Sequence, residues 1–272
     1  MNGKNILVIR ISINLCNKRT TMKVGLIGFG KTGKAVASAI LKNENFELEW
    51  VLRKSPRQED RLIADILEID SDNQGRVYSL HNNKIEPFLD THPVDIIIDF
   101  SSENGIFTYG KAAAERKIKI ISAVSHYNEE QEAYLKRLGE YTTVFWSPNI
   151  TLGVNYLIFA AKVLKSIAPF VDIEIVEEHF KHKDGVSGTA VKIADALGLK
   201  KSKINSVRAG GIVGKHQVIF GFKYQTIRLI HESISREAFG NGVIFVAENI
   251  HDREKGFYQY EDIFKPFLTD KI

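Results

Sequence analysis

Residues 24–36 have the sequence VGLIGFGKTGKAV, in which a short β-type run precedes a helical pattern. Three glycines, Gly28, Gly30 and Gly33, occupy the junction with GxGxxG spacing. Glycine permits a tight turn and a close approach of the backbone to a pyrophosphate, and free N–H groups at a helix start attract that anion. The position of the motif directly after a strand favours nucleotide binding, with a purely structural turn as the alternative.

The rest of the N-terminal half has the periodicity of a doubly wound domain. Helical patterns at 31–43, 102–117 and 128–141 alternate with β-type runs, which is typical of βαβ units and a parallel sheet. Strands are expected at 23–28, 46–52, 94–100, 119–122 and 142–146. This alternation predicts an α/β fold with an N-terminal Rossmann-type dinucleotide-binding domain.

After residue 150 the pattern changes to that of an α+β domain with a mostly antiparallel sheet. We expect a helix near 154–168, a strand at 171–179 and a short helix from Thr189. Three β-type runs follow, separated by turn residues, at 204–213, 215–222 and 224–234. The segment 235–250 is helical again and is expected to return to the first domain.

These patterns predict two domains and an N-terminal extension. Residues 22–148, completed by about 236–272, form the dinucleotide-binding domain, and residues 149–235 form the substrate-binding and oligomerisation domain. Residues 1–21 are expected to be an extension, because Met22 directly precedes the first strand.

The amino-acid composition limits the classes of binding partner that are expected. The formal net charge of +4 is spread along 272 residues, so we expect no nucleic-acid partner, and a small anionic ligand fits better. Cys16 is the one cysteine, which excludes an internal disulfide and paired-cysteine metal motifs and favours a reducing, cytoplasmic location. No run approaches the roughly 18 apolar residues of a membrane span. Neither a membrane nor a metal is expected.

The end of the second strand bears on cofactor choice. NAD sites place Asp or Glu there, to accept hydrogen bonds from the ribose 2′-OH. This chain has VLRKS at 51–55, so Arg53 and Lys54 are available to pair with a 2′-phosphate. NADPH is therefore the expected cofactor, with NADH second. The alternative is a pair of solvated charges at a strand end.

A dense polar segment, EEHFKHKDGVSGTA at 177–190, follows the strand predicted at 171–179. A histidine has a reference pKa near 6.5 and suits general acid catalysis, and an ammonium four residues later can hold a carboxylate or stabilise developing charge. Without further evidence, a histidine and a lysine four residues apart more often belong to a solvated loop. Four further motifs lie in order along the chain: IIIDFSS (96–102), SPNITLGVN (147–155), RAGGIVGKHQVIF (208–220) and IHESISREAFGNGV (230–243).

Together these motifs, spread over nearly all of residues 22–260, resemble dihydrodipicolinate reductase. The resemblance implies NADPH- or NADH-dependent reduction of a cyclic imine dicarboxylate, a step toward diaminopimelate and lysine, by a homotetramer. It implies His179 as general acid and Lys183 as its cationic partner. The turn formed by Ser187, Gly188 and Thr189 then binds a substrate carboxylate, because it begins a helix.

The resemblance also implies a set of cofactor-binding residues from six segments. These are Gly28, Gly30, Lys31, Thr32 and Gly33; Arg53 and Lys54; Phe100 and Ser101; Ser122, Ala123 and Val124; Ser147, Pro148, Asn149 and Ile150; and Arg236 and Phe239. Asn149 is expected to orient the nicotinamide amide, and Arg236 and Phe239 to lie near the junction of cofactor and substrate.

Three departures from the family pattern keep alternatives open. Phe180 replaces a second histidine, and SAVS at 122–125 replaces Gly-Thr-Thr-Gly. DGV at 184–186 replaces the segment that contains Asp-Ala-Pro and makes it one residue shorter. The alternatives are a reductase of another cyclic imine or dicarboxylate, and a non-catalytic nucleotide-binding relative.

Overall fold

The structure is a computed structural model that describes residues 21–269. The predicted extension at residues 1–21 lies outside the described residues except for Thr21. The strands are β1 (Met22–Ile27), β2 (Phe46–Arg53), β3 (Arg76–Ser79), β4 (Ile96–Asp99), β5 (Lys119–Ser122), β6 (Thr143–Trp146), β7 (Asp172–His179), β8 (Ile204–Arg208), β9 (Lys215–Gly221), β10 (Thr226–Glu232) and β11 (Gly256–Tyr258). The helices are α1 (Lys31–Leu41), α2 (Ile63–Leu67), α3 (Ile85–Thr91), α4 (Gly105–Glu115), α5 (Glu129–Leu138), α6 (Leu152–Ile167), α7 (Gly188–Ala196), α8 (Glu237–Ile250) and α9 (Tyr260–Thr269).

The first sheet has the strand order β11-β6-β5-β4-β1-β2-β3, and all of its strand pairs are parallel. Its central strands are buried on both faces, as the isoleucine-rich β4 illustrates. Side chains alternate between two apolar cores, so that Leu26 joins one core and Ile27 the other. The α/β fold with a parallel Rossmann-like sheet is confirmed.

The C-terminal segment packs against this first sheet. Gly240 of α8 lies against Ala35 and Ala39 of α1, and β11 pairs with β6. The helix predicted at 235–250 is found at Glu237–Ile250. Four short elements, β3, β11, α2 and α3, were not predicted, because three to seven residues carry too little periodicity to reveal an element.

The second sheet is mixed, with the strand order β10-β9-β7-β8. β9 is antiparallel to both β7 and β10, whereas β8 is parallel to β7. The prediction of a mostly antiparallel sheet is therefore only partly matched. The reason is that α7 connects β7 to β8 as a crossover, which returns the chain in the same direction.

Strand β7 carries the polar residues of interest to one end of this sheet. Its residues alternate in burial, so Ile173, Ile175, Glu177 and His179 share the buried face. The two isoleucines join an apolar core beneath α6 and α7, and the two polar residues continue the same face beyond that core. Within residues 21–269, no helix is long and apolar enough to cross a bilayer.

The contact of α8 with the segment after β6 requires a glycine. A Cβ at Gly242 would lie 1.9 Å from the Ile150 carbonyl oxygen. We expect Gly242→Ala to lower the free energy of unfolding by about 1–3 kcal/mol, because helix and backbone must separate. Gly211→Ala is the control, since a Cβ there has no neighbour within 4 Å. Equal urea midpoints for the two variants would contradict this packing.

Candidate active site

The glycine turn after β1 has the geometry of an anion-binding turn. Gly28 has φ +97°, and a Cβ there would lie 2.6 Å from the Phe100 carbonyl oxygen. A Cβ at Gly33 would lie 2.2 Å from the Gly28 carbonyl oxygen, whereas the space beside Gly30 is open. Helix α1 starts without a side-chain cap or an acidic residue in its first turn. Its first N–H groups are therefore available to an anion.

A cavity of about 1050 Å³ adjoins this turn at the carboxyl ends of β1, β2 and β4. Six of the predicted cofactor residues line it: Gly28, Gly30, Arg53, Lys54, Phe100 and Ser101. Arg53 is held in place because its Nη1 donates to the Arg57 carbonyl oxygen at 3.0 Å. No carboxylate occurs among the described residues of the lining, so the cavity suits an anionic ligand.

A second cavity of about 640 Å³ shares a wall with the first. Phe100 and Ser101 line both cavities. Four more of the predicted residues line the second one: Thr32, Ala123, Val124 and Phe239. His126 also lines it.

The wall between the cavities is held by a buried carboxylate that sequence reasoning missed. Asp99 accepts a hydrogen bond from the Ser101 N–H at 2.8 Å and another from the Tyr109 hydroxyl at 2.9 Å. Burial raises the pKa of Asp99, although these hydrogen bonds oppose the rise. The position of Ser101 between the two cavities therefore depends on Asp99.

The other predicted cofactor residues lie elsewhere. Ser122 is buried and shares a hydrogen bond with the Tyr127 hydroxyl at 2.9 Å, so it lies behind the second cavity. Ser147 and Pro148 line a separate cavity of about 160 Å³. Outside the linings of these cavities are Lys31, Gly33, Asn149, Ile150 and Arg236. Arg236 is exposed at the start of α8.

Asn149, in the segment between β6 and α6, is hydrogen-bonded to helix α7. Its Oδ1 accepts hydrogen bonds from the Thr151 N–H at 3.1 Å and the Thr151 hydroxyl at 2.8 Å. Its Nδ2 donates to the Thr189 hydroxyl at 3.4 Å. A residue predicted to contact the cofactor is thus bonded to a residue predicted to contact the substrate.

His179 lies at the end of β7, and its ring is paired with a carboxylate. Its Nδ1 is hydrogen-bonded to Glu177, which is two residues earlier on the same strand face. Arg208, opposite His179 on the neighbouring strand, donates to both Glu177 oxygens at 2.6 and 3.0 Å. The Ser206 hydroxyl donates to Glu177 at 2.6 Å. Burial alone would raise the pKa of Glu177, but these bonds lower it to about 2.

The same arginine holds the loop that carries Lys183. Arg208 Nε donates to the Lys183 carbonyl oxygen at 3.1 Å, and its Nη2 donates to the Gly185 carbonyl oxygen at 2.6 Å. Lys183 is half-buried, and within residues 21–269 its ammonium has no ion-pair partner. The loop therefore presents an uncompensated cation near His179.

The Ser-Gly-Thr turn begins helix α7. The Ser187 side chain does not cap the helix but shares a hydrogen bond with His216 Nε2 at 2.9 Å. Gly188 has open space around it, and the first turn of α7 contains no acidic residue. The start of this helix can accept a carboxylate. The His216 ring also lies against the His179 ring, with 5.3 Å between centroids.

The structure thus brings His179, Lys183 and the Ser187–Thr189 turn to one end of the second sheet. Sequence reasoning missed Glu177, Arg208 and His216 as members of this group. Glu177 could have been recognised as a partner of His179 from the sequence, because residues two apart on a strand share a face. Arg208 and His216 depend on strand register, which the sequence does not reveal. No cluster of three or more metal-ligating side chains occurs in the described part of the chain.

A parallel sheet with a glycine turn and a large cavity, joined to a second sheet that holds a carboxylate-paired histidine, is the arrangement of a pyridine-nucleotide-dependent oxidoreductase. Comparison with known proteins gives the family. The sequence profile described as "Dihydrodipicolinate reductase, N-terminus" matches residues 22–150, and that described as "Dihydrodipicolinate reductase, C-terminus" matches residues 150–264. The chain belongs to the dihydrodipicolinate reductase family, which confirms the predicted family and enzyme class.

Named relatives agree with this assignment. A 4-hydroxy-tetrahydrodipicolinate reductase from Caldanaerobacter subterraneus subsp. tengcongensis is 30% identical, and the match covers 95% of this chain and 99% of that protein. One from Staphylococcus aureus is 28% identical, covering 89% and 100%. The fold is that of the dipicolinate-bound dihydrodipicolinate reductase from Paenisporosarcina sp. TG-14, with a TM-score of 0.73, 23% identity, and coverage of 88% and 97%.

The buried His216 should make stability depend on pH. Burial lowers the pKa of His216 to about 4, assisted by His179, so the unfolded state binds more protons between about pH 4 and 6.5. The free energy of unfolding should therefore rise with pH across that window, by up to about 3 kcal/mol from this group. His216→Gln should flatten the rise in urea titrations, and above about pH 7.5 its difference from wild type should become constant. Parallel curves from pH 4 to 8 would contradict the assignment.

Proposed function

We propose that this enzyme reduces 4-hydroxy-tetrahydrodipicolinate, or its dehydrated form dihydrodipicolinate, to tetrahydrodipicolinate with NADPH. The observation that carries the proposal is the group at the end of the second sheet: a carboxylate-paired histidine, an unpaired lysine and an uncapped helix start. A small imine dicarboxylate needs one proton donor and sites for two carboxylates, and this group supplies both.

The residues present fit a dinucleotide. The turn from Gly28 to Thr32 accepts the pyrophosphate, because the space beside Gly30 is open and α1 is uncapped. Arg53 and Lys54 hold the adenosine end in the larger cavity, and Ala123, Val124 and Phe239 surround the nicotinamide end in the smaller one. When bound, the reduced nicotinamide supplies a hydride.

The chain's own residues supply the remaining chemistry. Hydride addition to a conjugated imine leaves negative charge on the substrate, and His179 neutralises it as general acid. Lys183 pairs with one carboxylate and stabilises the developing charge. The N–H groups at Gly188 and Thr189, with the Ser187 hydroxyl, hold the other carboxylate.

The domain organisation, location and assembly are part of the same proposal. Residues 22–148 with 236–272 bind the cofactor, and residues 149–235 bind the substrate and form the subunit contacts. The single cysteine supports a cytoplasmic location. Strands β8 and β10 are both sheet edges with exposed apolar residues, Val207 and Ile230, which supports a homotetramer that covers them.

Phe180 favours a second candidate function, in which the same fold reduces a different substrate. It lies immediately after His179 and is 44% exposed, where the family has a second histidine donor. A different cyclic imine or dicarboxylate is therefore the alternative. Assays of purified full-length protein with enzymatically generated 4-hydroxy-tetrahydrodipicolinate and with other cyclic imines decide between them, since the higher kcat/KM identifies the substrate class.

Substitutions at His179 and Lys183 should separate their roles. His179→Gln should lower kcat by roughly two to four orders of magnitude and leave NADPH affinity nearly unchanged, because the cofactor contacts lie on other elements. Lys183→Ala should lower kcat and also raise KM, because it loses a carboxylate contact. Lys181→Ala, in the same exposed loop, is the control. Full turnover by both site variants would refute the catalytic assignment.

Cofactor choice should depend on Arg53 and Lys54. Each charge-assisted contact to a 2′-phosphate contributes on the order of 1 kcal/mol or more, so wild type should bind NADPH at least tenfold more tightly than NADH. Arg53→Glu with Lys54→Ala should remove that preference in calorimetric titrations, and Arg57→Ala should keep it. Equal affinity of wild type for both nucleotides would contradict the proposal.

The oligomer should be visible in solution. If the edge strands of the second sheet pair or pack between subunits, light scattering at micromolar concentration should give a mass near four chains. A charged replacement of the exposed apolar side chain, Ile230→Lys, should shift that mass downward, whereas Tyr141→Lys, an exposed site on the first domain, should not. A monomeric wild type would count against the shared-sheet assembly.

A further inference from the structure

Glu177 is a buried carboxylate for which the reaction described above has no direct use. It is fully buried, and the groups around it are donors: both Nη atoms of Arg208, the Ser206 hydroxyl and, at 3.4 Å, the Ser187 N–H. Its remaining neighbour is His179 Nδ1. We propose that Glu177 is a positioning residue for the reduction, which holds the proton of His179 on Nδ1 so that Nε2 is the atom that exchanges protons with the substrate.

First, the donors around Glu177 determine the protonation state of its carboxylate. Arg208, Ser206 and Ser187 donate four hydrogen bonds to Glu177. An ionised carboxylate can receive all four, because its two oxygen atoms are acceptors only. Together with the hydrogen bond to His179, these bonds lower the pKa of Glu177 to about 2 in spite of burial. An anionic Glu177 can share a hydrogen bond with His179 only if Nδ1 carries a hydrogen.

The second step concerns the other ring nitrogen. His179 Nε2 points toward Gly214, where a Cβ would lie 3.1 Å away. Because Gly214 has no side chain, this residue does not cover Nε2, and the His179 side chain keeps 9% of its surface exposed. The charged and titratable groups around this ring are Glu177 on its own strand, Arg208 on β8 and His216 on β9. Lys183 in the following loop and His231 on β10 act on the adjacent His216. Within residues 21–269, Glu177 is the acceptor that is hydrogen-bonded to Nδ1.

The third step is the proton balance of the reaction, so the inference rests on the proposed function. A hydride, with its electron pair, forms a C–H bond at the conjugated imine. The resulting anion takes the proton from Nε2 of the imidazolium, and the neutral ring keeps its Nδ1–H bonded to Glu177. One proton from solvent restores the imidazolium. Glu177 stabilises that imidazolium against the neighbouring cations Arg208 and Lys183.

Glu177→Gln and Glu178→Gln form a matched pair of variants. Glu178 lies on the opposite face of the same strand and is paired with Lys215 at 2.9 Å. We expect Glu177→Gln to lower kcat at least tenfold, with KM for NADPH changed less than twofold, and Glu178→Gln to resemble wild type. In a His179→Gln background, Glu177→Gln should lower kcat less than twofold further, because its effect passes through His179.

The tautomer can be observed in the wild-type full-length chain. His179→Gln is the one variant required, and it serves to assign the His179 signals. In ¹⁵N-labelled protein at high pH, the His179 signals should show hydrogen on Nδ1 and none on Nε2. Hydrogen on Nε2 would overturn the inference, as would an undiminished kcat in Glu177→Gln. A wild-type enzyme without activity on any imine dicarboxylate would instead refute the proposed function, and the tautomer measurement would still decide the role of Glu177.

Discussion

The ion pair between Glu177 and Arg208 is the interaction on which the end of the second sheet depends. A fully buried carboxylate is strongly unfavourable unless it is paired and hydrogen-bonded, and breaking such a pair costs about 3–5 kcal/mol. Arg208 meets this requirement with two bonds to Glu177, and two further N–H groups donate to the Lys183 and Gly185 carbonyl oxygens in the loop after β7. One guanidinium therefore fixes the strand end, the histidine and the lysine loop together.

The cofactor half has an analogous constraint. Asp99, at the carboxyl end of β4, binds the Ser101 N–H and thereby holds the wall shared by the two cavities. The close contact of Gly28 with Phe100 fixes the glycine turn against that same wall. Each half of the molecule thus uses one buried carboxylate at a strand end to shape its site. The bond from Asn149 to Thr189 connects the segment after β6 with α7.

Much of this account could be predicted from the sequence, because long periodic segments and local motifs carry their own information. The parallel sheet, the glycine turn, helix α8 and the loop from His179 to Thr189 were all recognisable. The parallel pairing of β7 with β8 was not, since it depends on where α7 directs the chain. That register places Arg208 opposite His179, so the role of Arg208 was equally hidden. Asp99 was quoted only as part of a motif, because its partner Tyr109 lies on the following helix.

Crystallography of a complex with oxidised NADP and pyridine-2,6-dicarboxylate would test the central claim most directly. The account predicts one carboxylate at the N–H groups of Gly188 and Thr189, the other at Lys183, and His179 Nε2 within about 3.5 Å of the ring, with Nδ1 still bonded to Glu177. The nicotinamide should occupy the cavity lined by Ala123, Val124 and Phe239. A dicarboxylate bound away from α7, or a His179 ring turned from Glu177, would contradict the account.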